Sequence, residues 1–161
     1  QPRKKIERLI EIAKRDTRVH LRLIGPGIKN NIHHVKLTQN VVIMDEIYGD
    51  DLIEHFEWSH AVFNPAAVGL LVMNSARYSR PIFIGIDSQN APEIQLAKQA
   101  GSDLFIDFDD DKQVQALIDK CISERSFLEE KGQILCDIMK QEYTVEYMAQ
   151  QYYKAIDNKW D

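Results

Sequence analysis

The chain is poor in most features that mark specialised classes of protein. Its 161 residues hold 2 cysteines, Cys121 and Cys136, with no CxxC or CxxxC spacing. That excludes a disulfide framework and leaves two thiols that read as small buried apolar groups in a reducing compartment. With only 7 glycines and 5 prolines there is no linker, low-complexity tract or repeat. No apolar run approaches the ~18 residues that a bilayer span needs. Positive charge is not in excess: the net charge is −5, so no broad attraction to nucleic acid is expected. The motifs GxSxG, GxGxxG and GxxxxGK[ST] are missing, which argues against a hydrolase elbow, a dinucleotide fingerprint and a P-loop. His33-His34 lacks the i, i+4 spacing of a helical metal site, and His20, His55 and His60 are scattered, so no metal is assigned. The opening Gln-Pro-Arg-Lys-Lys reads as the start of a charged amphipathic helix rather than a signal peptide, and the expected location is the cytoplasm.

What is present is an alternation of short apolar runs and amphipathic stretches. Residues 3–15 carry Ile6, Leu9, Ile10 and Ala13 at helical spacing. Val19–Ile24 reads as a strand ending at Gly25-Pro26-Gly27. A short helix is expected within 28–39, then a strand at Val41–Met44. Asp50 or Asp51 is placed to cap a helix bearing Leu52, Ile53 and Phe56. The stretch from His60 to Glu93 organises the rest. Ala61–Phe63 reads as a strand, Val68 opens a helix running to about Ser79, and Pro81–Ile86 is the next strand. Pro92 begins a helix closed by Gly101, and Leu104–Phe108 is a fifth strand. Asp109-Asp110-Asp111 caps a further helix, Phe127–Met139 is helical, and Thr144 caps a closing helix over 144–157.

Strand, loop, helix, strand is the pattern of one α/β domain over residues 1–161: a Rossmann-like, doubly wound parallel sheet with helices on both faces. Such a sheet normally begins with its central strand, whereas this sequence begins with a helix. The first strand is therefore expected to be missing from the chain; the rival reading is a complete five-stranded fold with a helical start.

Ligands of such sheets sit beyond the carboxyl ends of the strands. There, Gly69 permits close backbone approach ahead of a helix whose N-terminal amides suit a phosphate, although taken alone one glycine before a helix reads more often as a packing glycine. Asn74 is either a ligand-facing amide or a surface one. Glu93 suits a helix start with or without a ligand, and Lys4 and Lys5 are poorly placed for a helix dipole unless an anion is near. Tyr48 and Gly49, just past the second strand, could pack on a base or cover the sheet edge.

With these parts in order, the chain resembles the C-terminal, nucleotide-sugar-binding half of a GT-B-type retaining glycosyltransferase of family 4. The resemblance rests on Gln-Pro-Arg-Lys-Lys-Ile (1–6), Leu-Ile-Gly-Pro-Gly (23–27), Asn40 to Tyr48 with Asp50-Asp51-Leu52, Pro65 to Leu70, Ser79-Arg-Pro-Ile (79–82), Asn90-Ala-Pro-Glu-Ile (90–94) and Thr144 to Tyr153. The family's Glu-x7-Glu pair is degenerate, its positions falling on Ala66 and Asn74. The resemblance implies diphosphate contacts at Lys4, Gly69 and Leu70, nucleoside contacts at Met44, Tyr48 and Asn74, and sugar contacts at Asn90, Ala91 and Glu93. It implies sugar transfer from a nucleoside-diphosphate sugar with retention, in cell-surface polysaccharide synthesis, without metal or other cofactor. The implied partners are the nucleotide-sugar and an N-terminal acceptor domain of the same parent protein, which could bring it to the inner face of the membrane. This chain alone is expected not to turn over. The alternatives are a catalytically inactive scaffold of this fold and a sugar-nucleotide epimerase.

Overall fold

The computed structural model describes residues 5–86 and 91–157. Lys4 and Asn90, two of the candidate binding residues, lie outside them. Helix α1 (Ile6–Arg15) buries Leu9, Ile10, Ile12 and Ala13 along one stripe, with Lys14 and Arg15 at its carboxyl end, where the dipole favours cations. It is followed by strand β1 (Leu21–Ile24), the single turn α2 (Ile28–Asn31) and strand β2 (Val41–Met44). The helix expected over 28–39 is only this turn. Ile28 and Ile32 are its buried anchors, and the His33 ring donates from Nδ1 to Asn30 O at 2.7 Å where the helix ends.

A 3₁₀ turn, Gly49–Asp51, leads into helix α3 (Leu52–Trp58). Neither Asp50 nor Asp51 caps α3 through its side chain; the 3₁₀ turn places both in its own backbone, and Leu52 N–H bonds back to it. Strand β3 (Val62–Asn64), helix α4 (Leu71–Arg77), strand β4 (Ile82–Gly85), helix α5 (Ile94–Ala100) and strand β5 (Phe105–Ile106) follow. Helix α4 starts at Leu71 rather than Val68, because Val68 is buried in the core and its carbonyl is taken by Ala91 N–H at 3.1 Å. Gly101, at φ 146°, closes α5 as its sequence position suggested. Helices α6 (Asp111–Ser123), α7 (Arg125–Glu142) and α8 (Val145–Asp157) complete the chain. The Asp110 carboxylate caps α6, accepting from Lys112 and Gln113 N–H, and Thr144 Oγ1 caps α8 by accepting from Tyr147 N–H.

The sheet comes in two parallel pieces. β1 pairs with β2, Leu21 opposite Val41 and Ile24 opposite Met44. β4 lies between β3 and β5, with Val62 opposite Ile82 and Ile84 opposite Phe105. The architecture is thus α/β, Rossmann-like, with helices flanking parallel strands. α1 locks the two pieces in common direction. Its first turn meets the carboxyl end of β5, where Arg8 Nε donates to Phe108 O at 2.6 Å and Lys5 pairs with Asp109 at 2.8 Å. Its last turn meets the amino ends of β1 and β2, where Asn40 Nδ2 donates to Ala13 O and Val19 O, both at 2.7 Å.

The two faces are covered by different helices. On β1, Leu23 joins the core shared with α1, while its neighbour Arg22 lies against α3. On the α1 face, Phe63, Phe83 and Phe108 pack ring to ring. α6 joins α1 there through Arg8–Asp111 at 2.6 Å, and the turn after α1 through Arg18–Asp119 at 2.6 Å. α7 crosses to α4, where Gly132 is needed: a Cβ there would strike the Ser79 carbonyl.

Candidate functional site

All strands deliver their carboxyl ends to one edge of the molecule, and the loops there form two groups. The first is the turn after β3 together with the start of α5. Asn64, 6% exposed, donates from Nδ2 to Ala67 O at 3.3 Å and helps set the turn. Gly85, ending β4, lets that turn lie over the sheet, since a Cβ there would strike the Pro65 carbonyl. Val72 N–H is the first amide of α4's opening turn to bond back, reaching Gly69 O at 3.1 Å. Gly69, Leu70 and Leu71 N–H groups are thus ahead of the intrahelical ladder, as helix starts require. A Cβ built on Gly69 would sit 3.8 Å from Ala91 Cβ, in ordinary contact. Strain therefore does not explain the glycine. Glu93 stands just before Ile94, and its Oε2 is buried without a hydrogen-bond partner among the described residues. An unpartnered buried carboxylate oxygen is costly and calls for a donor.

The second group follows β1 and β2. Gly25 N–H donates to Met44 O at 3.4 Å, and Lys29 pairs with Asp45 at 3.2 Å. Tyr48 projects from this group, 71% exposed, with its hydroxyl donating to Glu46 at 2.6 Å. That bond and the carboxylate's charge raise the phenol above its usual pKa.

Between the two groups runs a cavity of about 860 Å³, continuous with a slot between β1 and β3. Tyr48 and Asn74 both line it, as do Gly25, Glu46 and Asn64. Asn74 is half-buried and no hydrogen bond engages its side chain among the described residues. Gly69, Leu70, Ala91 and Glu93 gather at the first group and Met44 beneath the second, outside the cavity lining.

The sequence reading missed Arg22, His55 and Trp58. The Arg22 guanidinium lies 4.0 Å over the Trp58 ring and donates to His55 Nδ1 at 3.0 Å, and all three line the cavity. No local pattern links them, because they come from β1 and α3 and meet only through the fold. Glu46 was within reach of the sequence: a carboxylate two residues before a tyrosine, just past a strand, is a local pairing. Among the described residues no three His, Cys, Asp or Glu side chains gather to hold a metal ion, and no described helix is long and apolar enough to cross a membrane.

No protein-family model, curated protein or solved structure matches this chain.

Proposed function

We propose that this chain is the donor-binding domain of a glycosyltransferase that uses a nucleoside-diphosphate sugar. The observation that carries the reading is the union of two loops at the carboxyl ends of β3 and β4. Ala91 N–H bonds to Val68 O, which ties the loop ahead of α5 to the turn ahead of α4 and supports reading Gly69 and Glu93 together. In this reading the Gly69 and Leu70 amides hold the diphosphate, and Lys4 adds charge to it. Such contacts favour the negative charge that grows on the leaving nucleoside diphosphate as the glycosidic bond breaks. Glu93, with Ala91 and Asn90, takes sugar hydroxyls, and its buried Oε2 gains the donor it lacks. Tyr48 and Asn74 face the nucleoside across the cavity mouth, with Met44 below.

The test is calorimetric titration of UDP, GDP and their sugars. Saturable heat is expected below millimolar ligand, weakened at least ~10-fold by Glu93→Ala for the sugar nucleotide but not for the bare diphosphate. Absence of heat at millimolar ligand for every nucleotide would falsify the reading.

A second reading, a scaffold of the same fold without catalysis, draws on α8. None of its side chains is buried, and Val145, Met148, Tyr152 and Tyr153 are each more than half exposed. A surface of that kind suits protein contact. Under that reading Asn74→Ala and Glu93→Ala leave partner binding unchanged.

A further inference from the structure

We propose that the amino end of the cavity is a binding site for an oxyanion, a carboxylate or a phosphate monoester, carried on an aromatic or short apolar body. The strands run parallel, so the residues just ahead of each gather at the edge opposite the loops described above. Helix α3 also ends there, at Trp58. Arg22, the second residue of β1, reaches across to the last turn of α3 and meets His55 and Trp58. All three line the cavity.

The guanidinium is held on two sides. The Trp58 ring centroid lies 4.0 Å from its central carbon, and Nη1 donates to His55 Nδ1 at 3.0 Å. A guanidinium offers no acceptor, so Nδ1 supplies the lone pair and the proton of the neutral imidazole sits on Nε2. The remaining donors are fixed in place. Arg22 Nε–H and Nη2–H form the parallel pair that matches two oxygens of a carboxylate or phosphate. They meet no acceptor among the described residues, and neither does His55 Nε2–H. Both side chains are half-buried.

The carboxylates at this end do not fill the role. Arg18 engages Asp16 and Asp119. Glu54 Oε1 stands 3.9 Å from Arg22 Nη1, beyond hydrogen-bonding distance, and its side chain is 80% exposed. A tie between β1 and α3 needs only the His55 bond and the Trp58 stack. An apolar side chain would pack at this position without half-burying a charge. The open guanidinium edge is what such a tie leaves unexplained. Beyond the donors the walls are apolar, with Leu21, Phe56 and Ala61. A bare ion would leave those walls unmatched, whereas an aromatic acid or phosphate ester meets both the donors and the walls. The proposal is independent of the donor-binding reading, because it uses the opposite end of the strands.

Trp58 is both part of the site and its reporter. Its fluorescence is followed in a Trp160→Phe background, where it is the sole indole, during titration with phenyl phosphate, benzoate, inorganic phosphate and chloride at constant ionic strength. Phenyl phosphate or benzoate is expected to saturate at ~1 mM or below, at least ~10-fold tighter than inorganic phosphate. The better of the two names the headgroup. Arg22→Lys keeps the charge but removes the paired donors, and should weaken binding at least ~10-fold. Glu54→Gln removes a competing carboxylate and should tighten binding about 2-fold. The proposal is overturned by titrations that do not saturate, by equal affinity for chloride, which marks an adventitious ion only, or by parental affinity in Arg22→Lys. Where circular dichroism shows Arg22→Lys to be unfolded, His55→Phe takes its place: it keeps a packed ring without the Nε2 donor, and parental affinity there overturns the proposal. The signal arises at the amino end, so this titration and the nucleotide titration fail separately.

Discussion

The β1–β2 piece and the β3–β4–β5 piece are built from similarly apolar strands, yet they are buried very differently. β4 is closed at all of its residues, from Ile82 to Gly85, and its Phe83 ring packs between Phe63 of β3 and Phe127 of α7. β2 buries only Val41, and Val42 is 49% exposed. The reason is coverage. The β1→β2 connection carries one helical turn, too little to roof a strand, whereas β3→β4→β5 is covered by full crossovers and by α7. A two-stranded sheet has little stability of its own. The first piece therefore depends on α1 and α3, and on the link that α1 makes to α6. Apolar strand composition is not what makes a strand a core strand; the elements that cover it do.

The widest test of this comparison is a pair of truncations. Phe83→Ala, in β4, removes a fully buried ring that packs 5.4 Å from Phe63 and 6.2 Å from Phe127. It is expected to cost about 3–5 kcal/mol in denaturant unfolding. Val42→Ala should cost under ~0.5 kcal/mol, as exposed positions do. Similar losses for the two would erase the distinction. A smaller effect, about 1–2 kcal/mol, is expected of Asn40→Ala, which strips a shared donor from Ala13 O and Val19 O. Its signature is regional: hydrogen exchange should accelerate in α1, β1 and β2 and stay unchanged in β4 and α7.

The smallest effect is acidic. Hydrogen bonds from Arg18 and then Gln115 hold the Asp16 carboxyl well below the usual range. Arg8 and Arg15 lower Asp111, and Lys5 lowers Asp109. Carboxylates depressed in the folded state contribute stability above their unfolded pKa and lose it as pH falls through the folded value. The α1–α6 link should therefore hold at neutral pH and weaken below about pH 4. Exchange of α1 amides between pH 5 and 2.5 checks this, and α1 should loosen before β4. Added salt should weaken the link as well, because exposed pairs are the ones that mobile ions screen.

Much of the framework was readable in the chain. Val41–Met44 appears with the bounds its apolar run suggests, and Gly101, Asp110 and Thr144 act as the caps their residue types imply. Those signals are local: each of these caps bonds within four residues of itself, and a strand's run is its own boundary. The errors came where distant groups decide. The helix expected at Val68 begins at Leu71 because Ala91 takes the Val68 carbonyl. The fifth strand shortens to Phe105–Ile106, with Leu104 in a preceding 3₁₀ turn. Of the candidate site residues, Gly69 and Ala91 do meet, and Tyr48 and Asn74 line the same cavity. The Arg22–His55–Trp58 contact had no local signal.

The sequence by itself determined the class of fold, since alternating apolar runs and amphipathic stretches leave few ways to hide both from water. It also determined the caps and the glycine turns, whose chemistry is complete within a few residues. Only the tertiary structure decided which strand is the core, which carboxylate oxygen is buried without a donor among the described residues, and that the sheet is parted between β1 and β3. Those properties belong to pairs of elements far apart along the chain. Burial and unmet hydrogen bonds take their value from whatever the fold brings alongside.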